Sequence, residues 1–591
     1  MSVTRKISIL LAASFFFLGK STAAVAQSAP SVAVVSSMEK LRPDQKPTDG
    51  KESIQLYAAR GEVEDAQIII TAGDKDLKNV SLKASTLRTA NGGKIEPELK
   101  FVGYVNIHTP DPNGFGQPGD YPDILYPIKN FPLAAEKSQS IWFTVKPPLG
   151  TKPGDYTGSV QVVADRKTIA TLKVSLRVFD FDLPRMSALK TSFGYGPWNH
   201  AKPNYYGSNW PDSKQEEAFL KQMIDYRMSP NNTGIGGILK SLKNVFTQNS
   251  DGQWEANWSD FDEEVQKRLD QGWNFFYLAH LPLSWWHKDA EKNLTIETNR
   301  WKKIPREEQA QILRQLNDHL VEKGWADRFA YKCFDEPSIN EHNEAFLREL
   351  SEFFQKNAPD LRILMVTTDC REIKLAGEKP IFTWVPHLPS LHLCKGYEDF
   401  LKERQKVGEE GWTYICETRA NIDVSHAYPD IAPIDREGAS QRAYGWLAWR
   451  NRLDGILYWN VTEWDYRGGY DNPKNSNKGE GVLFYPDLEN HGQPFPSIRA
   501  ALVRDGFEDY DLLFYLNETI NRLDAIPNLQ AADKETIKKA QALLDVSDIM
   551  PNLRDFNRDP QAYADHHRAV LEALENLTQL ETKLNPTAKK S

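Results

Sequence analysis

The chain has 591 residues, 40% hydrophobic and 26% charged, an ordinary globular mix that excludes a lone small module, wholesale disorder and a polytopic membrane protein. Seventy-two Lys and Arg stand against 81 Asp and Glu, a formal charge of −9. That leaves no basic excess for a phosphate backbone and argues against nucleic acid as a partner.

The amino terminus carries Arg5 and Lys6, an apolar run from Ile7 to Leu18, and Ala24-Val25-Ala26 before Gln27. This pattern predicts a cleavable secretory leader over residues 1–26, too short in its apolar part to span a bilayer. Cleavage would remove three cations and no acid, taking the formal charge from −9 to −12. The expected compartment is therefore periplasmic or extracellular, with no membrane span.

From about Ser53 to Leu183 short alternating segments such as Ile54 to Ala58, Ile141 to Val145, Ser159 to Val163 and Leu172 to Leu176 are separated by turn formers, including Asn91-Gly92-Gly93 and Pro153-Gly154-Asp155. Period-2 patterning without a helical repeat predicts an antiparallel β-sandwich over residues 27–185. After Leu183-Pro184 short apolar strands alternate with amphipathic helices. Strands are predicted at Leu189 to Tyr195, Asn232 to Gly236, Asn274 to Ala279, Phe329 to Phe334, Arg362 to Thr367, Ile381 to Val385, Trp412 to Cys416 and Gly455 to Asn460. Eight is the number that closes a barrel, so a (β/α)8 barrel over residues 186–525 is favoured over a doubly wound sheet. Helices follow at about Phe507 to Leu523, Ala531 to Leu544 and Pro560 to Leu584, predicting a helical extension over residues 526–591.

The four cysteines, Cys333, Cys370, Cys394 and Cys416, form no CxxC pair, and the 12 histidines show no ligand spacing. Small buried hydrophobes are the default for the former, and neither a metal nor a cofactor is expected.

In a barrel, chemistry belongs at the carboxyl ends of the strands. The fourth predicted strand ends Cys333-Phe334-Asp335-Glu336-Pro337. Two neighbouring acids on a rim suit glycosidic chemistry, with Pro337 expected to hold Glu336 extended. Capping of the following helix accounts for the same motif equally well. Tryptophan tips the balance: of 16, one precedes the barrel and 15 lie between Trp198 and Trp464. Rim indoles offer flat apolar faces to pyranose C–H groups, while Trp446 and Trp449, at helical spacing, suit a core. The expected partner is an oligosaccharide or glycoconjugate.

Several motifs in order resemble glycoside hydrolase family 123: Gly61-Glu62-Val63-Glu64 with Gln67, Pro153 to Gly158, Val178 to Phe181 with Leu183-Pro184, Asp335-Glu336-Pro337, Gly455 to Asn460, Gly481 to Pro486, and Ser497-Ile498-Arg499 through Arg504 to Tyr510. The resemblance implies a β-sandwich followed by a (β/α)8 barrel, and exo-acting β-N-acetylgalactosaminidase chemistry that is retaining and substrate-assisted. It further implies Glu336 as general acid and base, protonated near neutral pH, and Asp335 as the group that orients the 2-acetamido substituent. Substrate contacts are expected from Trp384, Tyr414, Trp459, Asn460, Glu463 and Trp464; a buried structural role for Tyr414 fits as well. Arg60, Glu62 and Glu64 are taken as structural.

Members of the family usually continue past the strand-seven cysteine with small or neutral residues, whereas this chain has Cys416-Glu417-Thr418-Arg419. Glu417 either pairs with Arg419 or serves as a nucleophile on a sugar lacking the acetamido group. A carbohydrate-binding protein without catalysis is the third reading.

Overall fold

The computed structural model describes residues 28–111, 116–196, 213–231, 245–278, 305–332, 336, 341–368, 381–416, 428–464, 479–490 and 492–585. The expected leader, the predicted strand at 232–236, Asp335 and Glu417 lie outside them.

The amino-terminal domain is built from two sheets. One has the strand order Ser31–Ser36, Glu64–Thr71, Ser138–Val145, Glu98–Ile107, Gly119–Pro127, and every neighbouring pair is antiparallel. The other runs Ser53–Arg60, Lys167–Asp182, Gly154–Ala164, Leu77–Ala84, Phe131–Leu133. Ile68, Ile70, Ile141 and Phe143 of the first meet Ile54, Val160, Val162 and Val174 of the second in one core. Along Lys167–Asp182, Leu172, Val174, Leu176 and Val178 are buried while Lys173 and Ser175 face out, the period of two that the sequence displays. The expectation of a wholly antiparallel domain needs one correction. Ser53–Arg60 pairs in parallel with Lys167–Asp182, Ser53 opposite Lys173. More than a hundred residues separate the two strands, so no hairpin constrains their relative direction. The longest hairpin turns at Asp165 and Arg166, both with positive φ (47° and 70°). Such a turn matches the right-handed strand twist, and Asp165 anchors it by accepting from the amides of Lys78 and Asn79, each at 3.0 Å.

In the second domain the strands are β1 (Lys190–Gly194), β2 (Pro230–Asn231), β3 (Phe276–Leu278), β4 (Phe329–Tyr331), β5 (Arg362–Thr367), β6 (Phe382–Pro386), β7 (Glu410–Tyr414) and β8 (Gly455–Tyr458). They form one parallel, curled sheet in the order β2-β1-β8-β7-β6-β5-β4-β3. The inner face carries Phe275, Ala330, Leu364, Val366, Val385, Trp412, Tyr414 and Leu457. The alternate positions, such as Ile363, Met365, Trp384 and Ile456, belong to the layer shared with the helices.

Those helices are α1 (Ser213–Asp225), α2 (Ser259–Gln271), α3 (Arg306–Glu322), α4 (Glu341–Asn357), α5 (Leu388–Leu393), α6 (Tyr397–Lys406), α7 (Gly438–Arg450) and α8 (Ile498–Asp524), followed by α9 (Ala531–Ala542) and α10 (Pro560–Leu584). Helix α8 begins nine residues before its predicted start, capped by Ser497, whose Oγ accepts from the Ala500 amide at 3.0 Å. It packs on α7 backbone to backbone: a Cβ on Gly445 would fall 1.8 Å from the Gly506 carbonyl oxygen. Helix α10 reaches back to the first domain, where Glu575 accepts from the Asp180 amide at 2.9 Å and pairs with Arg177 at 3.3 Å. None of the described helices is long and apolar enough to cross a membrane.

Cys394 is disulfide-bonded, whereas Cys416 is not in a disulfide. The expectation of four unlinked, core-filling cysteines is corrected at Cys394.

Candidate active site

The site lies at the carboxyl ends of the parallel strands. Tyr414, the last residue of β7, points to the inner face and is 2% exposed. Its hydroxyl donates to Oε1 of Glu336, which is exposed and follows the end of β4. The structure thus brings together two candidates 78 residues apart in the chain. Glu336 is not extended, as the Pro337 argument predicts; its φ is +44°. A left-handed conformation crowds the Cβ of a non-glycine residue and costs about 1–2 kcal/mol. Such strain persists where surrounding contacts over-determine the geometry, and it recurs at functional positions.

Tyr414 is flanked by His387, one residue past β6. The two rings lie 5.1 Å apart and the residues form a parallel bridge. His387 Nε2 is 3.1 Å from the Cys416 carbonyl oxygen, so this nitrogen carries the proton, and the His387 amide donates to the Thr367 carbonyl at 2.8 Å. Burial pushes the imidazole from 6.5 down to about 4, with the Cys416 carbonyl acting weakly in the opposite sense. His387 escaped the sequence reading. Its one signal is its place directly after an apolar strand, Phe382–Pro386, at the end where barrel chemistry is sought.

Because the folded-state value is depressed, the neutral ring's contribution to stability is complete above pH 6.5 and is lost as pH falls towards 4. The expected loss across that window is roughly 3 kcal/mol. Denaturant midpoints at about pH 7 and about pH 4.5, compared between the wild type and His387→Gln, should show a smaller acid-induced drop in the variant. Equal drops would remove His387 from the acid response.

At the end of β8 a second polar group forms. Asn460 donates from Nδ2 to Glu463 Oε2 at 2.7 Å and accepts at Oδ1 from the Thr462 amide at 2.9 Å. It is 4% exposed, whereas Glu463 is half-buried. A Cβ on Gly196, just past β1, would come within 3.0 Å of Asn460 Nδ2, so this pair faces the mouth of the β1–β8 seam. Trp459 is half-buried and donates its indole N–H to Glu480 Oε1 at 2.5 Å, and Tyr458 donates to the same oxygen at 3.2 Å. Gly481 approaches the Trp459 ring closely: an added Cβ would sit 2.6 Å from the indole.

Two expected sugar platforms are corrected. Trp384 is wholly buried between the sheet and α6: it packs edge-on against Phe400 at 5.1 Å and donates to Glu409 Oε2 at 2.6 Å. Its position on β6 is the one that faces the helices. Trp464 is 1% exposed, donates to the Phe484 carbonyl at 2.8 Å and packs with Val105, Ile107, Tyr121 and Ile124 of the first domain. It fills the joint between domains.

A phenol has one proton. While Tyr414 donates to Glu336 it cannot donate to a ligand, so its first role is to fix the carboxyl group. Removing a hydrogen bond to a charged group costs about 1.5–3 kcal/mol. Tyr414→Phe is accordingly expected to lower kcat by roughly 10- to 100-fold, with the upper limb of the pH–rate profile moved to higher pH because the carboxylate loses a donor. A variant with the wild-type kcat and profile would show that the contact is only structural. Among the described residues, no group at the strand ends is spaced for a metal; the one such cluster is Glu62, Glu64 and His567.

A carboxyl group on the rim of a parallel curled sheet, next in sequence to a second acid and clamped by a phenol from another strand end, is the equipment of a glycoside hydrolase. The family model "Glycoside hydrolase 123, catalytic domain" matches residues 217–516, and "Glycoside hydrolase 123 N-terminal domain" matches residues 37–164. The chain belongs to glycoside hydrolase family 123. Among solved structures, a family 123 glycoside hydrolase from Clostridium perfringens, described in terms of glycolipid glycan hydrolysis, aligns over 94% of this chain and 100% of its own, with TM-score 0.62 and 17% identity; it shares the fold. A Bacteroides ovatus family 5 xyloglucanase (TM-score 0.29, 10% identity, 81% and 100% covered) and a family 39 glycoside hydrolase from Bacteroides cellulosilyticus (0.31, 12%, 77% and 82%) are far more distant. No curated protein matches the sequence.

Proposed function

We propose that this glycoside hydrolase removes a terminal β-linked N-acetylhexosamine, N-acetylgalactosamine foremost, by retaining, substrate-assisted catalysis. The observation that carries the reading is the Tyr414–Glu336 contact at the rim, with Asp335 adjacent in sequence. The strand order, which is cyclic from β3 round to β2, supports closure of the sheet into a (β/α)8 barrel around that rim.

In the first step the acetamido oxygen of the substrate attacks the anomeric carbon as the glycosidic C–O bond breaks. Glu336 passes its proton to the leaving oxygen. Asp335 accepts the acetamido N–H and offsets the positive charge that develops on the oxazolinium-like intermediate. In the second step water attacks the anomeric carbon, Glu336 takes its proton, and the acetamido group is restored. Two inversions give net retention. Asn460 and Glu463 serve as hydroxyl contacts, and Trp459 as one wall.

The Clostridium relative is described for glycolipid glycans, so such a glycan is the first natural substrate to offer. An oxidising destination is supported by the leader-like amino terminus and the Cys394 disulfide. The test compares aryl β-N-acetylgalactosaminide, β-N-acetylglucosaminide and plain β-galactoside, together with thiazoline inhibition. Cleavage of the acetamido sugars alone, inhibited by a thiazoline, is expected. Equal cleavage of the plain galactoside would overturn substrate assistance and favour Glu417 as a nucleophile.

A further inference from the structure

Away from the strand ends, three side chains converge where the first domain meets α10. Glu62 lies on the short turn between Ser53–Arg60 and Glu64–Thr71, Glu64 opens the second of those strands, and His567 lies in the second turn of α10. His567 Nε2 is 3.5 Å from Glu62 Oε1 and 3.4 Å from Glu64 Oε1. Both distances exceed an ordinary N–H···O hydrogen bond. The His567 and Glu62 side chains are 5% and 0% exposed, and His567 Nε2 and Glu62 Oε1 are buried without a hydrogen-bond partner.

We infer that Glu62, Glu64 and His567 bind one divalent cation of the zinc class, which pins the sandwich turn to α10. Bonds of about 2.0–2.1 Å to a tetrahedral zinc put neighbouring ligand atoms about 3.4 Å apart, close to the separation of His567 Nε2 from each glutamate oxygen, and the three ligand atoms all lie within 4.8 Å of one another. The other polar atoms of Glu62 and His567 are already engaged in the way a metal site requires. Glu62 Oε2 accepts from the Ala59 amide at 2.7 Å, which turns Oε1 towards the histidine. His567 Nδ1 lies 2.9 Å from Asp509 Oδ1, and a carboxylate on the far nitrogen orients a ligating imidazole and strengthens it as a donor. Asp509 is itself held by Arg442 at 2.8 and 3.0 Å and by the Trp446 indole at 2.8 Å. Two carboxylates and one imidazole leave room for water as a fourth ligand. Linear spacing hides the site, since about 500 residues separate the glutamates from the histidine.

The test uses the untagged full chain. Elemental analysis after purification, and calorimetric titration with zinc chloride after dialysis against a chelator, should give one zinc per chain. Melting of the chelator-treated chain should rise on adding zinc. Glu64→Gln and His567→Gln should each lose at least roughly 10-fold in zinc affinity and the zinc-dependent rise in melting, while His566→Gln keeps both. The inference is overturned if the folded wild-type chain takes up neither zinc, manganese nor calcium at one per chain, for then a proton shared by His567 and the two carboxylates fills the role. It is equally overturned if the folded Glu64→Gln variant binds zinc as the wild type does.

Discussion

Glu336→Gln is expected to lower kcat on a substrate with a poor, unactivated leaving group by about 100- to 10,000-fold, the range in which a positioned general acid contributes. The amide keeps the size and can still accept from the Tyr414 hydroxyl, the contact that holds Glu336 in place, so KM should change little. With a leaving group that needs no protonation, such as dinitrophenol, the first step should survive, and the second, where Glu336 must take a proton from water, becomes limiting. Azide, which needs no base, should then restore turnover and yield a β-glycosyl azide. Asp335→Asn should behave differently: it no longer offsets positive charge on the acetamido group, so activity falls with good and poor leaving groups alike. The pair of profiles separates the two acids. An Asp335→Asn variant of near wild-type activity, beside an inactive Glu336→Gln, would leave Glu336 in its role and transfer the nucleophile from substrate to protein.

Seven of the eight strands of the second domain were legible because each is a short apolar run bounded by turns; the eighth predicted segment, 232–236, lies outside the described residues. Their buried faces were not legible. Strands of a parallel sheet are covered on both sides and show no polar alternation, so nothing in Phe382–Pro386 says that Trp384 faces α6 and not the ligand. Trp464 misleads for a related reason, since an indole suits a sugar and a domain joint equally well. The first turns of α8 were missed because Arg499, Arg504 and Asp505 resemble a solvated face, yet all are buried. Arg499 and Arg504 find counter-charges in Asp123 and Asp65 on strands of the first domain, and no local window contains that information. The same holds for the Tyr414–Glu336 contact: the types were foreseen and the pairing was not. The left-handed backbone of Glu336 is likewise invisible to strand periodicity.

Arg499→Met is expected to be the most destabilising single change outside the site. Arg499 is fully buried, and so is Asp123 opposite it on Gly119–Pro127 of the first domain; Nη2 lies 2.9 Å from Asp123 Oδ2 and Nε lies 3.1 Å from it. The guanidinium also donates to the carbonyls of Ala432 at 2.5 Å, Gly479 at 3.0 Å and Val482 at 2.5 Å. One side chain thus ties the sandwich to two loops of the second domain. Methionine fills much of the volume but takes the guanidinium away from a buried carboxylate that keeps the Tyr485 hydroxyl, 2.6 Å away, and removes a donor from three carbonyls, of which Gly479 still accepts from the Val482 amide at 3.0 Å. Removing one member of a buried pair costs about 3–5 kcal/mol, a large share of the roughly 5–15 kcal/mol by which domains are stable. The measurable result is a fall in the first melting transition or a loss of folded chain. Asp123→Asn in the Arg499→Met background should recover part of it by removing the uncompensated charge. Because Gly479 adjoins Glu480, which holds Tyr458 and Trp459, any folded Arg499→Met chain should also show a raised KM with kcat less affected. A variant melting within about a degree of the wild type would mean that this cluster does not join the domains, and the apolar contacts around Trp464 with the α10 contacts of Glu575 would have to do so.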